Sequence, residues 1–177
     1  SRLRMFVLRS KVTLEEASDT FVHLGVSGSE AEQELRKVAG TLPDNIHQVT
    51  QDKDQTIIRV PGIHPSFEIF TTTEQAGQLW SGLNVQSAPI GSVAWQFLDI
   101  QAGIPMIFPE TREAFVPQMA NLQLIDGVSF TKGCYTGQEI VARMQYLGKL
   151  KRRMYRARCE STTQPLAGDE VYVSGEG

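Results

Sequence analysis

The sequence predicts an α+β fold with a mostly antiparallel sheet and packed helices. Two observations carry the prediction. Short β-rich runs with polar turns alternate with amphipathic stretches at helical spacing, which is the pattern of helices packed against a sheet. The helical stretches also carry their own start and stop signals, in the form of Thr or Ser three residues before Glu or Gln and a Gly at the far end.

The elements follow in order. Residues 3 to 8 are apolar or basic without a clear period, and fit either a strand or the tail of a helix. Asp19 to Val26 reads as a strand through Phe21, Val22, Leu24 and Val26. Gly25-Val26-Ser27-Gly28 turns the chain into a helix, with Ser29 and Glu32 in capping-box spacing, Ala31, Leu35, Val38 and Ala39 on its buried face, and Gly40 as its stop. His47 to Val60 reads as a hairpin around the polar residues 51–55, and residues 67–70 as a further strand. Thr72 to Leu83 is a helix capped by Thr72 and Gln75, with Ala76, Leu79, Trp80 and Leu83 inside. Ser92 to Ala102 is a third helix, stopped by Gly103 and Pro105. Residues 104 to 131 are loop-rich, with Pro105, Pro109 and Pro117; an irregular segment of that length inside a domain points to a binding loop. A fourth helix runs to about Leu147 and ends at Gly148, with Thr136 as N-cap and Glu139 three residues on. Lys149 to Cys159 and Glu170 to Val173 read as strands that start a β-barrel.

Bulk properties narrow the function classes. The 177 residues fit one large domain or two small ones, and 41% apolar residues suffice for a core. A formal charge of −3 gives no global attraction to nucleic acid or to an anionic membrane, so neither is expected as a partner. No run has the length of a transmembrane helix. Two cysteines, Cys134 and Cys159, make no disulfide framework, and a reducing, cytoplasmic compartment is the simplest expectation. They also fall short of the roughly four thiolates that a protein-held iron–sulfur cluster needs. His23, His47 and His64 share no ligand spacing, so no metal site is expected. Gly25-Val26-Ser27-Gly28 lacks the spacing of a phosphate loop and is a plain turn.

The chemistry concentrates in Lys132-Gly133-Cys134-Tyr135-Thr136-Gly137-Gln138-Glu139. A thiol just ahead of a helix start, two residues from a lysine, is placed where thiolate is favoured over thiol. Gly133 and Gly137 permit backbone shapes closed to other residues. The basic run Lys149, Lys151, Arg152, Arg153, Arg156 and Arg158 could touch RNA or an anionic ligand tail, and reads first as a solvated strand face.

That string, with Ile140-Val141-Ala142-Arg143 behind it, closely resembles the signature of the YgfZ family of folate-binding proteins that assist iron–sulfur proteins. Shorter pieces agree: residues 8–12, Gln101-Ala102-Gly103-Ile104-Pro105, and residues 115–122 with Gln118 and Asn121. The resemblance implies a fold like that of the aminomethyltransferase of the glycine cleavage system. It implies a folate-binding domain over residues 1–148 that lacks an N-terminal part, and the start of a C-terminal barrel over 149–177. It implies tetrahydrofolate or a derivative as cofactor and iron–sulfur client proteins as partners. Cys134 is then the functional thiol, and Gln118, Asn121, Lys132, Gln138, Glu139 and Arg143 are the cofactor-binding candidates.

A pterin edge presents adjacent N–H donors, so carboxylate or amide oxygens are its expected partners. Glu110 and Asp99 are further candidates for that role. Trp95, Phe108, Phe115 and Phe130 could line the slot, and an Arg of the basic run could pair with the folate carboxylates. The alternative is a folate-dependent one-carbon transferase. Relatives of that type carry an acidic-aromatic pair in place of Cys134-Tyr135 and a carboxylate in place of Gln118. A neutral amide cannot serve as a general base, which favours an accessory factor over an enzyme.

Overall fold

A computed structural model describes residues 4, 5, 7 and 11–172. Of the expected element at residues 3–8, Arg4 and Met5 lie in a 3-10 turn and residues 3, 6 and 8 lie outside the described residues, as do residues 9 and 10 of the segment 8–12 and Val173. The chain divides into two compact units. One holds the residues up to Val60 together with His64–Ile90; the other holds Pro61–Ile63 and the residues from Gly91 onward.

The first unit is α+β. Its order is β1 (Val22–Ser27), α1 (Ala31–Ala39), β2 (Val49–Gln51), β3 (Gln55–Val60), β4 (Ser66–Thr71) and α2 (Thr73–Leu83). The sheet is open and antiparallel, in the order β1-β4-β3-β2. Val22 stands opposite Thr71 and Ser27 opposite Ser66, so β1 reaches past the β2–β3 hairpin to find β4. Strand alternation sorts the residues by face. Phe67 and Ile69 of β4 and Ile57 of β3 are buried with Leu35 of α1, Leu79 of α2 and Leu42, and Leu24 and Val26 of β1 pack against them. Each such side chain removed from water contributes about 1.5–3 kcal/mol. Elsewhere on β1 and β4, His23 stacks on Phe70 at 4.4 Å and its Nε2 lies 3.4 Å from Glu68.

Polar loose ends in this unit are tied. Thr71 is buried and donates its hydroxyl to Asp54 C=O at 2.8 Å. Asp52 closes the β2–β3 turn by accepting N–H bonds from Asp54 and Gln55. Thr72 caps α2 by accepting the Gln75 N–H. Two expectations need correction here. Ser29 caps nothing: α1 begins after Glu30 with no side-chain cap. Glu32 instead faces two guanidinium groups, Arg36 and Arg59, each at 3.0 Å, and charge-assisted pairs outcompete a neutral cap. Trp80 is 48% exposed rather than inside, because the sheet takes the Ala76–Leu79 side of α2.

The second unit holds α3 (Ser92–Ala102), ended by Gly103 in a left-handed conformation, and α4 (Gln138–Tyr146). Between them residues 104–131 form only two 3-10 turns, Pro109–Thr111 and Leu122–Ile125. The strands expected at Lys149–Cys159 and from Glu170 are not formed, and residues 149–172 carry no helix or strand. A strand exists by pairing, and this stretch finds no ladder partner among the described residues. No helix among the described residues is long and apolar enough to cross a membrane.

Candidate functional site

The site is built in the second unit, where the loop 104–131 meets α4. Gln118 is 3% exposed and donates its side-chain N–H to Val141 C=O on α4 at 2.6 Å. Asn121 sits at φ 56°, a left-handed conformation that Asn tolerates better than most residues. Its Nδ2 donates to Met154 C=O at 2.9 Å, and the Met154 N–H returns to Met119 C=O at 2.8 Å. The matched Pro-Gln-x-x-Asn segment is thus stitched to the motif helix on one side and to the basic segment on the other.

Those amides are half satisfied. With their N–H ends committed, the side-chain oxygens Gln118 Oε1 and Asn121 Oδ1 are buried and accept no hydrogen bond, and Gln123 Oε1 is in the same state. A buried acceptor left unpaired costs about 1–3 kcal/mol. Three such acceptors fall within six residues of one another in the sequence. Gln123 is missing from the sequence-based candidates; nothing in its neighbours Leu122 and Leu124 distinguishes it from a solvated polar residue.

The motif loop is held from both flanks. Ser129 Oγ accepts the Lys132 N–H at 3.1 Å and the Thr131 N–H at 3.4 Å, a short-range turn that the sequence reasoning passed over. Lys132 Nζ lies 4.6 Å from the Tyr135 ring centroid, so its charge is partly engaged by an aromatic face rather than left wholly to the thiol. Tyr135 and Gln138 bracket each other: the Tyr135 N–H donates to Gln138 Oε1 at 3.0 Å, and the Gln138 N–H donates to Tyr135 C=O at 3.2 Å.

This bracket corrects the expected cap. The N-cap of α4 is Gly137 at φ 86°, not Thr136, and no side chain caps the helix. The left-handed step at Gly137 starts the helix one residue later, and the Gln138 side chain reaches back across Thr136. Glu139 lies in the first turn, where its charge suits the helix dipole, and it is exposed, as is Arg143 one turn on.

Cys134 is exposed and makes no disulfide, as is Cys159. It therefore sits at the tip of a braced loop, open to a reactant. Of the candidate slot aromatics, Phe108, Phe115 and Phe130 are 43%, 50% and 38% exposed and Trp95 is half-buried, so none is simple core. Phe130 meets Tyr146 edge-on at 6.1 Å. Gln101, from the matched Gln-Ala-Gly-Ile-Pro piece, accepts a 2.6 Å bond from Arg156. No group of three or more His, Cys, Asp or Glu side chains suited to a metal occurs among the described residues. An open groove along α1, lined by Glu30, Arg36 and Lys37, lies in the first unit and contains none of the motif residues.

Comparison with known proteins places this geometry among relatives. The chain is 39% identical over 171 residues to a protein of Yersinia pseudotuberculosis named "tRNA-modifying protein YgfZ", covering 97% of this chain and 52% of the relative. The protein of the same name from Yersinia pestis is 39% identical with the same coverage, and that from Yersinia enterocolitica 38%. The chain spans about half the length of the relatives it matches. No family model matches it. These relatives support the YgfZ family.

Proposed function

We propose that this chain is the folate-binding part of a YgfZ-family accessory protein, one that supports the assembly or repair of iron–sulfur proteins in the cytoplasm. The name of the relatives adds tRNA modification as the process such a protein serves. The observation that carries the reading is the buried, unpaired Oε1 of Gln118, with Asn121 Oδ1 and Gln123 Oε1 nearby in sequence. A pterin edge offers adjacent N–H donors and no charge, which suits neutral amide acceptors whose N–H ends are already tied to Val141 and Met154. Tetrahydrofolate fits this donor set, and its chemistry is that of a one-carbon carrier.

The chain's own groups then divide the work. Gln118 and Asn121 orient the ring, while Gln138 and Lys132 hold the Cys134 loop beside them. Glu139 and Arg143 supply the exposed polar rim. Cys134, free and exposed, is the reactive group. The one-carbon transferase alternative requires a proton acceptor at the ring, and Gln118 is a neutral amide that cannot take one.

Calorimetric titration of the intact protein with tetrahydrofolate tests the proposal. Binding without turnover of an aminomethyl donor is expected. Absence of heat at about millimolar ligand, where even a weak site of about −4 kcal/mol registers, would sink it. Release of methylene-folate from such a donor would shift the assignment to the transferase.

A further inference from the structure

The net charge of −3 hides a sharp division. Residues 127–159 carry a net charge of +7, leaving the remainder strongly acidic. Charge segregated in this way marks a surface for an anionic partner even where the whole chain is acidic. The expectation that nucleic acid is no partner rested on the total charge and on reading the basic run as a solvated face.

The cations crowd into Lys149–Arg158, and this is the segment that fails to form a strand. It is nevertheless fixed at its centre. The Met154 N–H donates to Met119 C=O at 2.8 Å and the Met154 C=O accepts from Asn121 at 2.9 Å, while Arg156 is held by Gln101. Pinning the partly buried Met154 leaves its neighbours outside: Lys149, Lys151, Arg152 and Arg153 are exposed and form no ion pair with any described residue. The lone acidic neighbour contact, Arg158 to Glu160 at 3.8 Å, is fully solvated. Two exposed tyrosines stand in or beside the same stretch, Tyr155 at 83% exposure and Tyr146, which also meets Phe130, at 70%. Beside cations in water they gain at most a weak cation–π contact. They gain more when bases stack on them while the cations take the phosphates.

We propose that residues Tyr146–Arg158 bind single-stranded RNA, with Lys149, Lys151, Arg152 and Arg153 on the phosphates and Tyr155 stacking a base. An anionic membrane surface would satisfy the cations but leave Tyr155 without a specific role, and the segment has no amphipathic helix to lie on lipid. The proposal does not depend on folate binding.

The test is fluorescence anisotropy of a labelled single-stranded RNA of about twelve nucleotides with the intact protein, between about 50 and 200 mM salt. Four phosphate contacts predict a slope of log K against log salt of roughly −3, at about −0.7 per contact. Lys151→Gln, Arg152→Gln and Arg153→Gln together cut the slope by about 2. Tyr155→Ala weakens binding about tenfold with no change of slope, whereas Tyr155→Phe keeps it, since a phenyl ring still stacks. All four substituted positions are exposed, so urea midpoints stay at the parental value. Three results overturn the proposal: RNA binding unaffected by the triple substitution; polyglutamate of matched charge displacing RNA equally well, which removes the role of the bases; or binding to phosphatidylserine vesicles at salt concentrations where RNA is released, which assigns the surface to a membrane.

Discussion

Replacing Gln118 with leucine separates a binding residue from a structural one. In the free protein Gln118 contributes one hydrogen bond, to Val141 C=O, and suffers one unpaired buried oxygen. Losing the bond costs about 0.5–1.5 kcal/mol, and removing the unpaired acceptor returns about 1–3 kcal/mol. Leucine is of similar bulk, one atom shorter and apolar, and the site is 3% exposed, so it fits without opening a large cavity. Gln118→Leu is therefore expected to be neutral or more stable by about 1 kcal/mol, against the usual trend of buried substitutions. Its affinity for tetrahydrofolate moves the other way. A ligand donor left facing a methyl group forfeits about 1–3 kcal/mol, or about 5- to 150-fold in Kd. Urea unfolding and calorimetry on the same preparation read both numbers. A variant that loses about 2 kcal/mol of stability yet binds folate like the parent would show that Gln118 is only a strut between the loop and α4, and the donor-seeking argument would fall.

The remaining expectations are simpler. Thr72→Ala should cost about 1 kcal/mol because Thr72 caps α2, while Thr136→Ala should stay within about 0.5 kcal/mol because Thr136 caps nothing; urea midpoints compare them. Gly137→Ala meets no atom within 4 Å but must adopt φ 86°, so about 1–2 kcal/mol is lost to backbone strain alone, again by urea unfolding. The Asp52 carboxyl is held below its ordinary range by the Asp54 N–H, then by the Gln55 side chain and N–H. Its folded value being the lower one, its contribution is full above the unfolded carboxylate range near 3.9 and fades as pH falls through the folded value. Asp52→Ala should accordingly flatten the acid limb of a stability-against-pH curve, with no change of slope near neutrality. Finally, Cys134→Ser should fold normally yet fail to restore an iron–sulfur enzyme in a deletion strain, with Cys159→Ser as control. Equal rescue by both at matched protein level removes Cys134 from the mechanism.

The first unit was legible because its signals are local. Thr72 with Gln75, the glycine at 40 and the alternation through Phe67 and Ile69 each fix an element within a few residues, and the elements then bury one another. The misreadings arose where a distant partner decided. Glu32 left its capping role for Arg59, which lies 27 positions away in sequence and adjacent in space. Thr136 matched the capping box in spelling, but a glycine in the left-handed region moved the helix start past it. The stretch after residue 148 has the composition of strands and finds no ladder partner among the described residues. For the candidate site, the residue types in the matched motif were visible at once. That Gln118 and Asn121 would spend their donors on backbone carbonyls and strand their acceptors is a matter of tertiary contact, which no spacing encodes.

The order β1-β4-β3-β2 sets a schedule for the newborn chain. A strand made first is paired only with the strand made last. Closing the β1–β4 contact costs about 2 kcal/mol more chain entropy than closing β3 onto β4 across Pro61–Pro65, by the logarithm of loop length. During synthesis at 5–20 residues per second, β1 therefore waits roughly 2–10 s before its partner has been made. Through that interval Leu24 and Val26, which end against the core, ride in an unpaired segment. Until β4 emerges those two apolar residues have no strand to pair with, and only the last strand of the sheet ends the wait.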